Sequence, residues 1–117
     1  MSRDDAAILD ILKAANLALA FTGKLDKAAF LADLKTQSAI LHQLLVLGEA
    51  VKRLSDAFRT QYPGVAWSQI AGMRNILIHQ YDHVDLDEVW QTVSEDVPRL
   101  IALLEPLAPR EGGAEEG

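Results

Sequence analysis

One short stretch of the sequence, residues 74–81, carries side chains that can bind and cleave a phosphodiester. Arg74 supplies a permanent cation and His79 an imidazole that titrates near neutral pH. Asn75 adds an amide and Tyr81 a phenol. Together these groups can hold a phosphate and move protons, so the stretch predicts phosphodiester chemistry that needs no metal and no other cofactor.

The helical period divides this stretch into two faces. At about 100° per residue, the side chains that form an apolar stripe are Ile70, Met73, Ile76 and Leu77. The polar side chains that fall on the opposite arc are Arg74, Asn75, His79, Tyr81 and Asp82. Asn75 stacks on His79, whereas Arg74 and His79 are about 140° apart and flank a shared surface. A second copy of the helix across a two-fold axis would bring four such side chains together.

Simpler readings of these residues remain open. Arg and His on an outer helix face are commonly only solvated or paired with an acid such as Glu49 or Asp82, and Tyr81 near a helix end is more often a packing residue. His79 and His83 have a spacing that can hold a divalent metal. A third protein ligand is hard to find, however, and His83 falls where the helix should end, so we predict no metal site.

The rest of the chain predicts helices that position this stretch. The first spans about 4–21, and a second, long helix spans about 26–59 with a bend near 36–38. Pro63 and Gly64 then interrupt the chain, and a third helix that carries the motif begins near Trp67. We predict from this pattern an all-α, up-and-down bundle of four main helices, with a short extra helix around 26–34.

The end of the chain has its own signals. A fourth helix should run over about 85–104, with Pro98 inside it producing a kink or a tightened turn. Residues 1–109 are then expected to form a single domain, and the acidic residues 110–117 a disordered tail.

Composition limits the partners of this domain. Seventeen acidic and eleven basic residues give a net charge of −6, which argues against broad electrostatic binding of nucleic acid, so any such chemistry must use a small local basic spot. There is no cysteine, and no apolar run approaches the ~20 residues that span a bilayer. The N-terminus lacks the pattern of a signal peptide. We therefore expect a cytoplasmic protein with no membrane association.

The string Arg74-Asn75-x-x-x-His79-x-Tyr81 resembles the Arg-x4-6-His signature of HEPN-domain ribonucleases, and its His-x-Tyr extension resembles the HepT-like toxin branch. The resemblance extends over roughly residues 4–105. It includes the segments Gly48-Glu49-Ala50, Trp67-x-x-Ile70-x-Gly72-Met73, and Val84-Asp85 through Trp90.

This resemblance implies an all-α domain that forms a homodimer, with the Arg74 and His79 pairs of two subunits meeting in an interfacial cleft. It implies an RNA endonuclease that is metal-independent and acts as the toxin of a HepT/MntA-type toxin–antitoxin system. The cognate antitoxin would be a minimal nucleotidyltransferase that adenylylates Tyr81. Arg74 would bind the phosphate and His79 transfer protons, with Asn75 and Glu49 in supporting roles. The alternatives are a non-catalytic HEPN module that binds a substrate or partner for such a transferase, and a purely structural helical dimer.

Overall fold

The computed structural model describes residues 2–79 and 83–109, and the regular structure within those ranges is helical throughout. The helices are α1 (Arg3–Thr22), α2 (Lys27–Leu31), α3 (Leu34–Arg53), α4 (Asp56–Gln61), α5 (Trp67–His79), α6 (Leu86–Gln91) and α7 (Val97–Leu104). A π-helical segment, Thr92–Asp96, joins α6 to α7, and a 3-10 turn, Glu105–Leu107, follows α7. The predicted all-α bundle of four main helices is confirmed, with α2 as the short extra helix. The predicted tail, 110–117, lies outside the described residues.

Helices α1 and α3 form the centre of the bundle, where they pack along each other. One apolar stripe of α1 is buried, with Ile8 and Ile11 almost inaccessible, and so is the α3 stripe through Ile40, Leu44 and Leu47. Complete burial of side chains of this size contributes about 1.5–3 kcal/mol each. The other helices pack around this pair: α5 against α3, and α7 against α1.

The long second helix predicted over 26–59 was wrong, because the chain breaks on both sides of α3. Asp33 caps the start of α3: its carboxylate accepts hydrogen bonds from the Thr36 N–H at 3.1 Å and the Thr36 hydroxyl at 2.8 Å. At the other end Leu54 is extended, and the Ser55 hydroxyl accepts from the Phe58 N–H to cap α4. Leu54 and Phe58 still reach the core, so the apolar period continues through the break and conceals it. Residues 36–38, where a bend was predicted, lie within the first turns of α3, and the break in the chain falls before them, at Asp33.

The C-terminal helix changes its winding just before Pro98, where a kink or a tightened turn was predicted, and the turn there is wider than in an α-helix. Over Thr92–Asp96 the turns are π-helical, and the Val97 N–H donates to the carbonyl of Thr92, five residues earlier. Proline has no N–H and its ring crowds the carbonyl four residues before it. A wider turn accommodates both effects. Val93 and Val97 consequently stay buried on either side of the segment.

Asp4 joins the start of α1 to the start of α4. Its two carboxylate oxygens accept hydrogen bonds from the Ser55 N–H and the Ser55 hydroxyl, each at 2.7 Å. The backbone hydrogen bond first, and then the hydroxyl, hold the pKa of Asp4 below its ordinary value of 3.8. At a pH above this ordinary pKa, the ionised carboxylate therefore stabilises the folded state. This contribution is lost as the pH falls through the lower pKa of the folded state.

We accordingly expect Asp4→Asn to lower the midpoint of urea unfolding near neutral pH, because the amide cannot accept both hydrogen bonds. We also expect the variant to lose less stability than the wild type as the pH falls below 3.8. Urea unfolding followed by circular dichroism over a pH series measures both effects. Glu95→Gln, at an exposed site, is the matched control. Parallel pH profiles for wild type and Asp4→Asn would contradict the prediction.

Candidate active site

The site is built where α3 and α5 approach each other closely, at Gly48. A Cβ at this position would lie 2.8 Å from the Cβ of Arg74 and 3.1 Å from the carbonyl oxygen of Ile70. The first distance is shorter than packed carbon atoms allow and the second is unusually tight, so glycine permits this contact without movement of α5. The missing side chain of Gly48 thus lets the backbone of α5 lie directly on α3 and sets the position of Arg74.

Arg74 is held by two neighbours. Its Nε donates to Oε2 of Glu49 at 2.9 Å, and its Nη1 donates to Oδ1 of Asn75 at 3.1 Å. The Arg74 side chain is 24% exposed and that of Glu49 is 53% exposed. An ion pair of this exposure contributes little to stability. Its effect is geometric, since a guanidinium held at two of its nitrogens has a defined orientation.

The helical wheel placed Arg74 on the outer arc of the motif helix, and this was wrong. Arg74 lies on the α3 side of α5, in line with the partly buried Ile70 one turn before it and the buried Leu77 one turn after it. Ile76, which was assigned to the inner stripe, is 39% exposed, and Ile78 is 44% exposed. The true inner face is therefore rotated toward Arg74, because Gly48 provides room for it there.

The remaining motif residues are described only in part. Asn75 is exposed, and it contacts Arg74, which the wheel did not anticipate. His79 is the last residue of α5, and its side chain lies outside what the structure describes. Tyr81 and Asp82 also lie outside the described residues. The roles predicted for His79 and Tyr81 therefore stay predictions.

A cleft of about 430 Å³ opens beside Arg74. Its lining residues are Val46, Glu49, Lys52, Arg53 and Arg74. Lys52 and Arg53 were not among the site residues predicted from the sequence. The available signal was the spacing Glu49-x-x-Lys52, which places both side chains on one face of a helix.

The described residues show neither a cluster of metal ligands nor a helix that could span a membrane. Among the residues that the structure describes, no three His, Asp or Glu side chains cluster closely enough to hold a metal ion. Within the same ranges, no helix is both long enough and apolar enough to cross a bilayer.

Comparison with known proteins identifies the family. The sequence profile of the family described as "Ribonuclease HepT-like" matches residues 11–107. The chain is 37% identical to "Putative RNase MJ1380" of Methanocaldococcus jannaschii over 86% of this chain and 94% of that protein. It is 40% identical to "Probable ribonuclease HepT" of Thermococcus cleftensis over 84% of this chain and 89% of that protein. No solved structure gives a significant match. The chain thus belongs to the HepT-like ribonuclease family, which confirms the enzyme class predicted from the motif, an RNA endonuclease.

Proposed function

We propose that this chain is a metal-independent endoribonuclease that acts as the toxin of a toxin–antitoxin pair. In this proposal the catalytic residues are Arg74 and His79, and the site forms where the motifs of two identical subunits meet. A partner nucleotidyltransferase, the antitoxin, neutralises the enzyme by adenylylating Tyr81. Membership of the HepT-like ribonuclease family supports the RNase activity, and the arrangement around Arg74 supports the site.

The observation that carries the proposal is the orientation of the Arg74 guanidinium. Glu49 occupies Nε and Asn75 occupies Nη1, so two positions of the planar fork are taken. Nη2 forms no hydrogen bond or ion pair with any described residue. A guanidinium held on one side and open on the other can bind a phosphate oxygen without first reorganising. Arg74 is therefore suited to stabilise the negative charge that develops on phosphorus during cleavage.

Proton transfer is the part assigned to His79. Cleavage of RNA without a metal requires a base to activate the ribose 2′-hydroxyl and an acid to protonate the leaving oxygen. An imidazole with an unperturbed pKa of about 6.5 provides both forms near neutral pH. One imidazole cannot be base and acid in the same step, whereas a symmetric dimer supplies two copies of His79. This requirement is the chemical reason for expecting the site between subunits.

The exposed face of α5 is consistent with a second subunit there. The helix packs against α3 on one side, while Ile76 is 39% exposed and Ile78 is 44% exposed. Both lie between Asn75 and His79 in the sequence, which is the part of α5 that the proposal places at the interface. Association of two copies would remove these apolar side chains from water at about 25 cal/mol per Å².

The runner-up function, a non-catalytic module that helps a nucleotidyltransferase hold its substrate, is favoured by the acidic composition. A net charge of −6 gives RNA little general attraction to the protein. Turnover separates the two functions, because a binding module retains RNA without cutting it. The purified chain should cleave single-stranded RNA in the presence of a chelator, and its expression alone should arrest bacterial growth. RNA that is bound and left intact would favour the binding module.

The proposed off-switch predicts a separation of activity from regulation. Tyr81→Phe should keep cleaving RNA, because Tyr81 has no role in proton transfer, but it should escape neutralisation because it lacks the acceptor hydroxyl. An adenylyl group on Tyr81, seven residues after Arg74 in the sequence, would add negative charge and bulk to the motif, and this is the proposed cause of the block. Co-expression with the partner transferase and a growth readout tests this. Tyr62→Phe is the control, and a Tyr81→Phe protein that the transferase still neutralised would refute the switch.

A further inference from the structure

The cleft beside Arg74 is unusual in this acidic chain because three of its five lining residues are cationic. These are Lys52, Arg53 and Arg74, and Glu49 is the acid among them. The protein as a whole has a net charge of −6. A local excess of positive charge next to an arginine that is open to phosphate is where an RNA strand would be held.

The three cations differ in whether they already form an ion pair with an acidic side chain. Arg74 pairs with Glu49 at 2.9 Å. Arg53 turns toward α1, where its Nη2 contacts Oδ2 of Asp10 at 2.8 Å. Lys52 is exposed and forms no ion pair with any residue that the structure describes. Lys52 is therefore the cation of the cleft whose charge is not shared with an acid among the described residues.

Helix geometry places Lys52 close to the site. It follows Glu49 by three residues on α3, so the two Cβ atoms are about 5–6 Å apart on the same face. Glu49 in turn contacts the guanidinium of Arg74. We propose that Lys52 binds a phosphate of the RNA strand adjacent to the one held by Arg74, so that the cleft is a second phosphate subsite. This inference rests on the proposed ribonuclease function and specifies how the substrate lies on the protein.

The residue type suits this task. A lysine ammonium is a compact charge on a flexible stem, so it follows a phosphate along a strand without selecting a base. The last turn of α3 carries the negative end of the helix dipole, which Lys52 and Arg53 offset. The subsite should accordingly contribute affinity that depends on salt and is the same for every RNA sequence.

Binding of an uncleavable RNA measures this contribution directly. The probe is a fluorescent, mixed-sequence, single-stranded RNA whose 2′-hydroxyls are methylated, and its Kd is followed by anisotropy over a salt series. For Lys52→Ala we expect Kd at low salt to rise about fivefold, and the slope of log Kd against log salt to become shallower by about 0.7. Lys52→Arg should keep the wild-type slope. The difference in Kd between Lys52→Ala and the wild type should become smaller as the RNA is shortened toward a single phosphodiester.

Lys35→Ala is the matched control, because it removes the same charge from an exposed site on the same helix, about 25 Å away along its axis. Circular dichroism of each variant verifies the fold. If wild type cleaves RNA but Lys52→Ala and Lys35→Ala bind the probe equally well, the subsite is overturned and the proposed function stands. A wild-type protein that neither binds nor cleaves RNA would overturn both.

Discussion

His79→Ala is expected to cleave RNA at least about 100-fold more slowly than the wild type, since general acid–base assistance is worth about 10²–10⁴ in rate. Arg74→Ala should lose activity to a similar extent, because removal of one preorganised donor to a developing negative charge costs about 10²–10³. Single-turnover cleavage of RNA in the presence of a chelator measures both. His42→Ala, which removes an exposed imidazole from α3, is the control and should match the wild type.

The pH dependence of the same assay tests the role of His79. A histidine that acts as base in one subunit and as acid in the other produces a bell-shaped rate profile, and this profile should be absent from the residual activity of His79→Ala. Near-wild-type cleavage by His79→Ala would refute the assignment. An equal loss of cleavage rate in the His42→Ala control would indicate that the loss in His79→Ala comes from misfolding.

Mixed dimers test whether the site needs both subunits. A dimer that contains one wild-type and one His79→Ala chain, isolated through two different affinity tags, retains one imidazole. If each subunit worked alone, this dimer would keep half of the wild-type rate. We expect a rate far below half, because the acid and the base are proposed to come from different subunits. A rate of one half would place a complete site within a single chain.

The helical bundle could be predicted because its signals are local and repeated. The apolar spacings of α1 and α3, the break at Pro63 and Gly64, and the start at Trp67 each act within a few residues. The breaks at Asp33 and Ser55 were missed because their caps compete with an apolar period that runs through them. The hydrogen bond that Asp4 accepts from the Ser55 N–H joins positions 51 residues apart, and no local pattern reveals it.

The motif residues of the candidate site could be found from their types and spacing, but their environment could not. A helical wheel treats α5 as if its inner face were set by its own apolar residues. The face is set by α3, where Gly48 leaves room for Arg74 and for the backbone at Ile70. Arg74 thereby lies at the contact between α3 and α5, and Ile76 is exposed. The information lies in a residue on another helix, 26 positions before the arginine that it receives.

Gly48→Ala is expected to destabilise the protein and to impair cleavage. The new Cβ would lie 2.8 Å from the Arg74 Cβ and 3.1 Å from the Ile70 carbonyl oxygen. Both atoms belong to or adjoin the α5 backbone, so rotation of a side chain cannot relieve the contact and α5 must move. Overpacking of this kind costs about 1–3 kcal/mol, against a gain of about 0.8–1.0 kcal/mol from the better helix propensity of alanine. Displacement of Arg74 by about 1 Å can reduce the rate about 100-fold.

Gly72→Ala provides a control in which the expected change in stability has the opposite sign. Gly72 lies within α5, two residues before Arg74, and a Cβ there would meet no atom within 4 Å. The same substitution should therefore stabilise the protein by about 0.5–1 kcal/mol through helix propensity alone. Urea unfolding of both variants, combined with their cleavage rates, separates the effect of the steric contact with α5 from the effect of helix propensity. If Gly48→Ala were stabilised as much as Gly72→Ala and kept its activity, the close approach of α3 and α5 would not be what positions Arg74.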